Sequence, residues 1–242
     1  MPKRFVVTAS EFSELPRFPV GFELAEALTA AARQLHDTDT PHGTLRTAVR
    51  LAVRLLPGAE HAGISVLDGA DRRHPVAWSD DVVRAAESPA QVRAVRPYWH
   101  RLRNTPVVRL DDSESEGGEG DGELAALGLR SALALRLRAD RQRLTVLTVY
   151  ARKPRTFDEA ATRVGRLFTA HVGLALDSAT VREQLTEAMR TRDLIGQATG
   201  ILMERLNIDA AQAFDSLVRA SQRENIKLRD LARTVVDANT RS

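Results

Sequence analysis

The C-terminal third of the chain contains no proline after Pro154. Four glycines are its only interruptions, and the remaining residues favour helix. Thr156–Glu159 has the Thr-x-x-Glu spacing of a helix start, and Asn207 is the first residue that favours a stop. The sequence therefore predicts one helix of about 48 residues, which at 1.5 Å per residue is about 70 Å long.

A helix of this length needs a partner, because a small domain cannot cover all of it. Apolar residues recur along it at alternating heptad positions, and polar residues interrupt the pattern. Such an interrupted heptad favours a parallel dimeric coiled coil, so we expect a homodimer. The apolar positions are Leu174, Val181, Leu185, Ala188, Ile195, Leu202 and Leu206, and the polar ones are Ser178, Arg192 and Thr199.

Two short helices are predicted after the long one. Asp209 and Gln212 have capping-box spacing for the first, and Asn225 is expected to cap the second. With the end of the long helix they make a three-helix unit of about 50 residues, which would be marginally stable alone. The predicted core face of the last helix is Leu228, Leu231, Ala232 and Val235.

The N-terminal part alternates between helical and strand patterns, which predicts an α+β domain with an antiparallel sheet. Residues 1–20 show no period and are expected to form an irregular arm. Helices are predicted at Phe22–Leu35, Leu45–Leu56, 80–96 (interrupted near Pro89) and 123–127. Strands are predicted at His61–Leu67, His74–Trp78, Thr105–Leu110, Ser131–Ala139 and Arg143–Ala151.

No motif for catalysis or metal binding is present. The chain has no cysteine, and its six histidines do not pair at metal-ligand spacing. Glycine-rich phosphate loops and nucleophile motifs are absent as well. No apolar run approaches the ~18 residues that span a bilayer. We therefore expect a cytoplasmic protein that is not an enzyme, contains no metal and does not contact the membrane.

Charge is unevenly distributed along the chain. Asp111–Glu123 carries seven acids and no base, so a chain of net charge +3 has about +10 outside this segment. That excess suits an anionic partner such as nucleic acid, although it is also common in arginine-rich proteins. Near the C-terminus, Arg229 and Arg233 share a helix face, and Asn225 and Lys227 precede that helix. This arrangement fits phosphate binding, and a solvated charged face is the alternative.

The segment "RDLIGQATGILMERLNIDAAQAFDSLVRASQRENIKLRDLARTVV" resembles the ANTAR domain, an RNA-binding antitermination module of bacterial regulators. The resemblance implies binding to paired short hairpins with six-nucleotide loops on nascent mRNA, which prevents a terminator from forming. Two hairpins fit a two-fold protein. The residues that we expect to contact RNA are Lys227, Arg229 and Arg233, followed by Arg205 and Asn225.

Residues from about 22 to 180 resemble the GAF sensor domain that precedes ANTAR in actinobacterial proteins. "LAVRLLPGAEHAGISVL" and "LGLRSALALRLRADRQRLTVLTVYARKPRTFDEAA" carry the likeness. It implies a small-molecule or protein signal at this domain. It names no cofactor, and the absence of cysteine excludes covalent bilin attachment through sulfur. His61, Trp78 and Trp99 are candidates to line a sensor pocket, with core packing as the alternative.

Together these patterns predict a GAF-like α/β sensor domain with an antiparallel sheet and flanking helices, a long coiled-coil helix and a three-helix ANTAR domain. The expected bounds are 1–20 for the arm, 21–180 for the sensor, 157–206 for the helix and 181–242 for the RNA-binding domain. Two other functions fit the residues. Three short helices also build DNA-binding domains, and a coiled coil can act as a protein-interaction switch.

Overall fold

The computed structural model describes residues 22–69, 72–88, 97–115, 121–140 and 143–240. Within these ranges the chain forms two compact units. The sheet unit comprises residues 22–37 and 45–175, and the helical unit comprises residues 38–44 and 176–240. The predicted irregular arm, residues 1–20, lies outside the described residues.

Apart from one additional helix, the helices and strands follow the order that the sequence predicts. The helices are α1 (Phe22–His36), α2 (Pro41–Leu55), α3 (Asp81–Glu87), α4 (Pro97–Asn104), α5 (Asp121–Ala126), α6 (Glu159–Leu206), α7 (Ala210–Glu224) and α8 (Leu228–Thr240). The strands are β1 (His61–Leu67), β2 (Arg73–Trp78), β3 (Val107–Leu110), β4 (Ser131–Ala139) and β5 (Leu144–Ala151).

The five strands form one antiparallel sheet in the order β2-β1-β5-β4-β3, which confirms the predicted strands and the β4–β5 hairpin. Its central strands are buried on both faces. One face packs against α1, α2 and the first part of α6, in a core that includes Leu35, Ile64 and Phe168. The other face carries α3, α4 and α5 over two smaller apolar clusters.

The start of α2 differs from the prediction. This helix begins at Pro41 rather than at Leu45. Proline is favoured in a first helical turn, because its missing N–H would have no partner there and its φ is already helical. The preceding Thr40 supports the turn, since its Oγ1 accepts a hydrogen bond from the Gly43 N–H at 3.1 Å. The predicted start at Leu45 is therefore wrong by four residues.

The region after β2 also differs. α3 ends at Glu87, residues 89–96 of the predicted helix lie outside the described residues, and α4 was not predicted. The α4 sequence "PYWHRLRN" has little apolar periodicity, and its Leu102 is fully buried. A single aliphatic residue, Leu102, in an eight-residue segment is too weak a periodic signal to predict a helix.

The long helix is confirmed. α6 has 48 residues and ends at Leu206, followed by Asn207 at a φ of 51°. Its start is not the predicted capping box, because the Thr156 hydroxyl donates to the Lys153 carbonyl. Asp158 caps the helix instead, with its Oδ1 accepting from the Ala161 N–H at 2.8 Å.

In the helical unit, α7 and α8 pack against the C-terminal part of α6. The Asp209–Gln212 capping box that starts α7 is confirmed. Ala198, Leu217 and Ala232 form the buried centre. The predicted core face of α8 is confirmed among the partly buried residues around that centre, which are Leu194, Ile195, Leu202, Leu228, Leu231, Val235 and Val236.

Asn225 has a different role from the predicted one. It is in the left-handed conformation, with a φ of 53°, and its N–H donates to the carbonyls of Gln222 and Ser221. It therefore caps the C-terminus of α7 and not the N-terminus of α8. Asparagine suits this position because it tolerates positive φ better than most residues.

Gly165 provides a test of packing between α6 and the sheet. A Cβ added there would lie 2.8 Å from Cδ1 of Leu135, which is fully buried and cannot move aside. We expect overpacking of about 1–3 kcal/mol to exceed the helix-propensity gain of about 1 kcal/mol, so Gly165→Ala destabilises the protein. A Cβ added at Gly173 on the same helix would lie 3.8 Å from the Leu137 carbonyl oxygen, an ordinary contact, so Gly173→Ala should stabilise the protein. Urea unfolding followed by circular dichroism checks both, and shifts of the same sign would contradict this packing.

Candidate nucleic-acid interface and sensor site

The predicted phosphate-binding residues lie at the start of α8 and along one side of it. Arg229 is partly exposed and forms ion pairs with Glu187 of α6 and with Asp230, each at 3.6 Å. Lys227 and Arg233 are exposed, and no ion pair joins either of them to another described residue. Among the described residues, this side of α8 thus carries two cations without an ion pair, Lys227 and Arg233. The third cation, Arg229, is paired with exposed acids.

The ion pairs of Arg229 leave it available to a ligand. Exposed pairs of this kind contribute only about 0–1 kcal/mol, so a phosphate can replace Glu187 as the partner. Arginine also binds phosphate through two parallel N–H···O hydrogen bonds. The Glu187 carboxylate, at 3.6 Å, is too far away to accept such bonds. Glu187 was not identified from the sequence, because it lies in another helix and no local spacing relates it to Arg229.

The two weaker candidates have structural roles. Arg205, near the end of α6, donates from Nη2 to Oδ1 of Asn239 at 2.7 Å and so connects α6 to α8. Asn225 ends α7 through its backbone, and its side chain is exposed beside Lys227. Asn225 and Lys227 therefore share the short connection between α7 and α8, whereas Arg205 lies at the other end of α8.

The predicted heptad pattern of α6 divides between two surfaces. Ile195 and Leu202 pack in the core formed with α7 and α8. Val181, Leu185 and Met189, by contrast, are 62%, 59% and 59% exposed. In the helical unit a groove runs along residues 182–192 and reaches Ile195 and Phe214. Val181, Leu185 and Met189 thus lie N-terminal to the α6 residues that pack in the core with α7 and α8.

Two of the sensor candidates, His61 and Trp78, lie at the same end of the paired strands β1 and β2. His61 begins β1 and pairs in register with Tyr150, while Trp78 ends β2 opposite Gly63 and is 42% exposed. The His61 side chain is mostly buried, and its Nδ1 bonds to Oδ2 of Asp80 at 2.8 Å. The side chain of Trp99 lies outside the described residues. A shared pocket of these three residues stays a prediction.

Asp80 links this end of the sheet to α3. It caps the helix by accepting from the Val83 N–H at 3.1 Å, and it also accepts from Ser79 Oγ at 2.6 Å and from His61. Burial raises the pKa of Asp80, but the hydrogen bonds from Ser79, His61 and Val83 together outweigh it, so the net pKa is lowered.

A lowered carboxylate pKa predicts how stability changes with pH. The stabilisation from ionised Asp80 should be complete above the ordinary aspartate pKa of about 4 and should be lost as the pH falls through the lower folded value. Asp80→Asn keeps a capping side chain but not the charge. The difference in urea midpoint between the native chain and this variant should therefore shrink from about pH 5 to pH 2.5. A constant difference would contradict the role of the charge.

Metal and membrane sites were also sought among the described residues. No group of three or more histidine, aspartate or glutamate side chains there is placed to hold a metal ion. Within the same residues, no helix is both long enough and apolar enough to cross a bilayer.

Comparisons with known proteins place a family model on each part of the chain. A model described as the ANTAR domain matches residues 183–236. A model described as the GAF domain matches residues 38–177, which is more than half of the chain. No curated protein matches the sequence.

Solved structures agree with this fold. The chain is similar to the photosensory core module of a phytochrome from Stigmatella aurantiaca, with a TM-score of 0.58 and 13% identity over 83% of this chain and 45% of that one. It is similar to a bacteriophytochrome from R. palustris, with a TM-score of 0.59 and 11% identity over 78% and 43%. For the GAF domain of an Acinetobacter phosphoenolpyruvate-protein phosphotransferase the TM-score is 0.50, with 15% identity over 66% and 96%.

The chain spans less than half the length of either phytochrome structure, and identities this low show the fold alone. The antiparallel sheet lies within the GAF match, and the ANTAR match lies within the helical unit. The chain therefore belongs to the GAF domain family and carries an ANTAR domain in its C-terminal part.

Proposed function

We propose that this protein is a signal-responsive transcription antitermination regulator that binds hairpin RNA in nascent mRNA. The observation that carries the proposal is the ANTAR match over residues 183–236, which includes a helix with an outward basic side. RNA loops present splayed bases and backbone phosphates, and a small basic helical surface suits both. The protein acts in the cytoplasm, where transcripts emerge, and it works by binding rather than by catalysis.

The RNA surface consists of Lys227, Arg229 and Arg233. Arg229 and Arg233 are one helical turn apart on α8 and bind successive phosphates of a loop. Lys227 supplies a third cation at the N-terminus of the helix, where backbone N–H groups also favour an anion. Asn225 reads a base from the same end, and Arg205 mainly holds α6 and α8 together.

The protein acts as a homodimer through the exposed apolar side of α6. Val181, Leu185 and Met189 lie within about one third of the helix circumference, and Gly196 continues the same side at 100° per residue. An added Cβ at Gly196 meets no atom, so a second helix can approach closely there. The proposed helix–helix contact therefore does not use Ile195, because Ile195 packs in the ANTAR core.

Two RNA surfaces in one dimer match two hairpins on one transcript. Binding both hairpins makes the second contact intramolecular, which raises the overall affinity far above that of a single site. A small-molecule or protein signal at the GAF domain changes the pairing of α6. α6 is one continuous helix that contributes to both units. A change in how two α6 helices pair therefore changes how the ANTAR domains are presented to RNA.

Crosslinking the native chain to cellular RNA, followed by sequencing of the bound fragments, tests this function. The proposal predicts recovery of paired hairpins with six-nucleotide loops next to terminators. A chain with Arg229→Ala and Arg233→Ala serves as the control and should lose this enrichment. Recovery of RNA without such hairpins, or of the same RNA with both chains, would contradict the proposal.

A further inference from the structure

A buried polar cluster lies on the side of the sheet that carries α3. Glu87, the last residue of α3, is fully buried, and its carboxylate pairs with Arg73 of β2. Ser65 of β1 donates to Oε2 of Glu87 at 2.5 Å, and the Tyr150 hydroxyl of β5 donates to Oε1. The three donors thus belong to three strands of one sheet, whereas the acceptor belongs to a helix of only seven residues.

Stability does not explain why this cluster is buried. Replacing a buried ion pair with apolar residues of similar volume is often neutral or stabilising. The surroundings are apolar, since Tyr150 itself belongs to one hydrophobic cluster and Val146, four residues earlier on β5, belongs to the other. A charged group kept in such a place indicates a function.

An additional hydroxyl faces the same region. Thr148 is fully buried, and its Oγ1 has no hydrogen-bond partner among the described residues. It precedes Tyr150 by two residues in β5, so both side chains lie on the α3 side of the sheet. Gly63 and Ala134 are its neighbours on the adjacent strands and add almost no bulk around it.

Side chains of α3 fill the depression that these small residues leave. A Cβ added at Gly63 would lie 2.6 Å from Cγ1 of Val83 and 3.1 Å from Cγ of Glu87. If the end of α3 moves away, the sheet exposes a guanidinium, two hydroxyls already placed for a carboxylate, and the unused hydroxyl of Thr148. Ser65, Thr148 and Tyr150 lie on strands, so their positions do not depend on α3. The Arg73 guanidinium, by contrast, also donates to the Ala86 carbonyl of α3 at 2.9 Å, and a carboxylate ligand would have to hold it when α3 moves.

We infer that Ser65, Arg73 and Tyr150 form a carboxylate-binding site in which Glu87 is an internal ligand. The GAF domain then takes a small organic carboxylate with an apolar body, which displaces Glu87 and frees the end of α3 from the sheet. A guanidinium with two converging hydroxyls complements the two oxygens of a carboxylate. The apolar clusters on either side suit the remainder of such a ligand. The inference concerns the input domain alone and stands whether or not the ANTAR domain binds RNA.

Thermal unfolding of the full chain with sodium acetate as the probe tests this site. Both tryptophans, Trp78 and Trp99, lie in the sheet unit, so their fluorescence reports its transition. Glu87→Ala empties the site, and acetate should raise the midpoint of this variant by about 3–6 °C at ten times its Kd, in a saturable way. In the native chain the half-maximal acetate concentration should be at least about ten-fold higher, because Glu87 competes for the same donors.

The double variant Arg73→Met with Glu87→Ala removes the guanidinium and should not respond to acetate. If Glu87→Ala is unfolded without ligand, recovery of the folded fluorescence with acetate is the expected outcome, and failure to recover overturns the site. Equal responses of the native chain and Glu87→Ala overturn it as well. The site is also overturned if chloride or inorganic phosphate, at matched ionic strength, raises the unfolding midpoint as much as acetate does.

Discussion

Replacing Arg229 and Arg233 together with alanine is expected to weaken binding of tandem-hairpin RNA by about 10- to 100-fold. Each charged hydrogen bond to a phosphate contributes about 1.5 kcal/mol or more, and 1.4 kcal/mol corresponds to a factor of ten. Losing two phosphate contacts should also reduce the slope of log K against log salt by about 1.4. Fluorescence anisotropy at several salt concentrations measures both quantities.

A matched control is present on the neighbouring helix. Arg219 and Arg223 of α7 are also one helical turn apart, so their double alanine variant removes the same charge from the same domain. We expect this control to weaken binding by no more than about three-fold, through long-range attraction alone. Equal affinity of the native chain and the Arg229/Arg233 variant would contradict the site. Equal losses in the two double variants would show general charge attraction rather than a defined surface.

Leu185→Asp is expected to dissociate the dimer and to leave each chain folded. The side chain is 59% exposed in the single chain, so the substitution removes little from the fold. In the proposed dimer it places two carboxylates in an apolar contact, which costs at least about 3 kcal/mol and raises the dissociation constant by more than about 100-fold. Sedimentation equilibrium measures the association, and circular dichroism confirms that the helices remain.

Two further substitutions sharpen this result. Gln184→Asp adds the same charge to the neighbouring residue, which lies about 100° round the helix from Leu185, and it should weaken the dimer much less than Leu185→Asp. Leu217→Asp places a charge in the buried ANTAR core and should unfold that domain. A monomeric native chain, or a Leu185→Asp chain that remains dimeric, would contradict the proposed helix pairing.

Much of the fold follows from local sequence patterns. The alternation in "SALALRLRA" predicts β4 with its observed bounds, and the proline-free C-terminal segment predicts the extent of α6. Errors occur where one side chain has two potential partners. Thr156 could cap α6 but bonds to the Lys153 carbonyl, and Asn225 could start α8 but ends α7. A pattern that fits two local structures cannot choose between them without the rest of the chain.

The sites were less predictable than the fold. The basic side of α8 can be read from the i, i+4 spacing of Arg229 and Arg233, but its partner Glu187 cannot, because contacts between distant helices leave no spacing signal. The Arg73–Glu87 pair was not identified for the same reason. Each residue, taken in its own segment, has the spacing of an ordinary surface charge, and only the packing of α3 on the sheet brings them together.

Selective binding of hairpin RNA by the ANTAR domain is the property on which the proposed function depends. Its most direct test is a competition titration with the full chain and a labelled RNA that carries two hairpins with six-nucleotide loops. Unlabelled RNA of that sequence and duplex DNA of equal length serve as competitors at physiological salt. The unlabelled RNA should displace the label at a concentration at least about 100-fold lower than the DNA, a difference of about 2.7 kcal/mol. Equal displacement by both, or no binding at physiological salt, would contradict the proposed function.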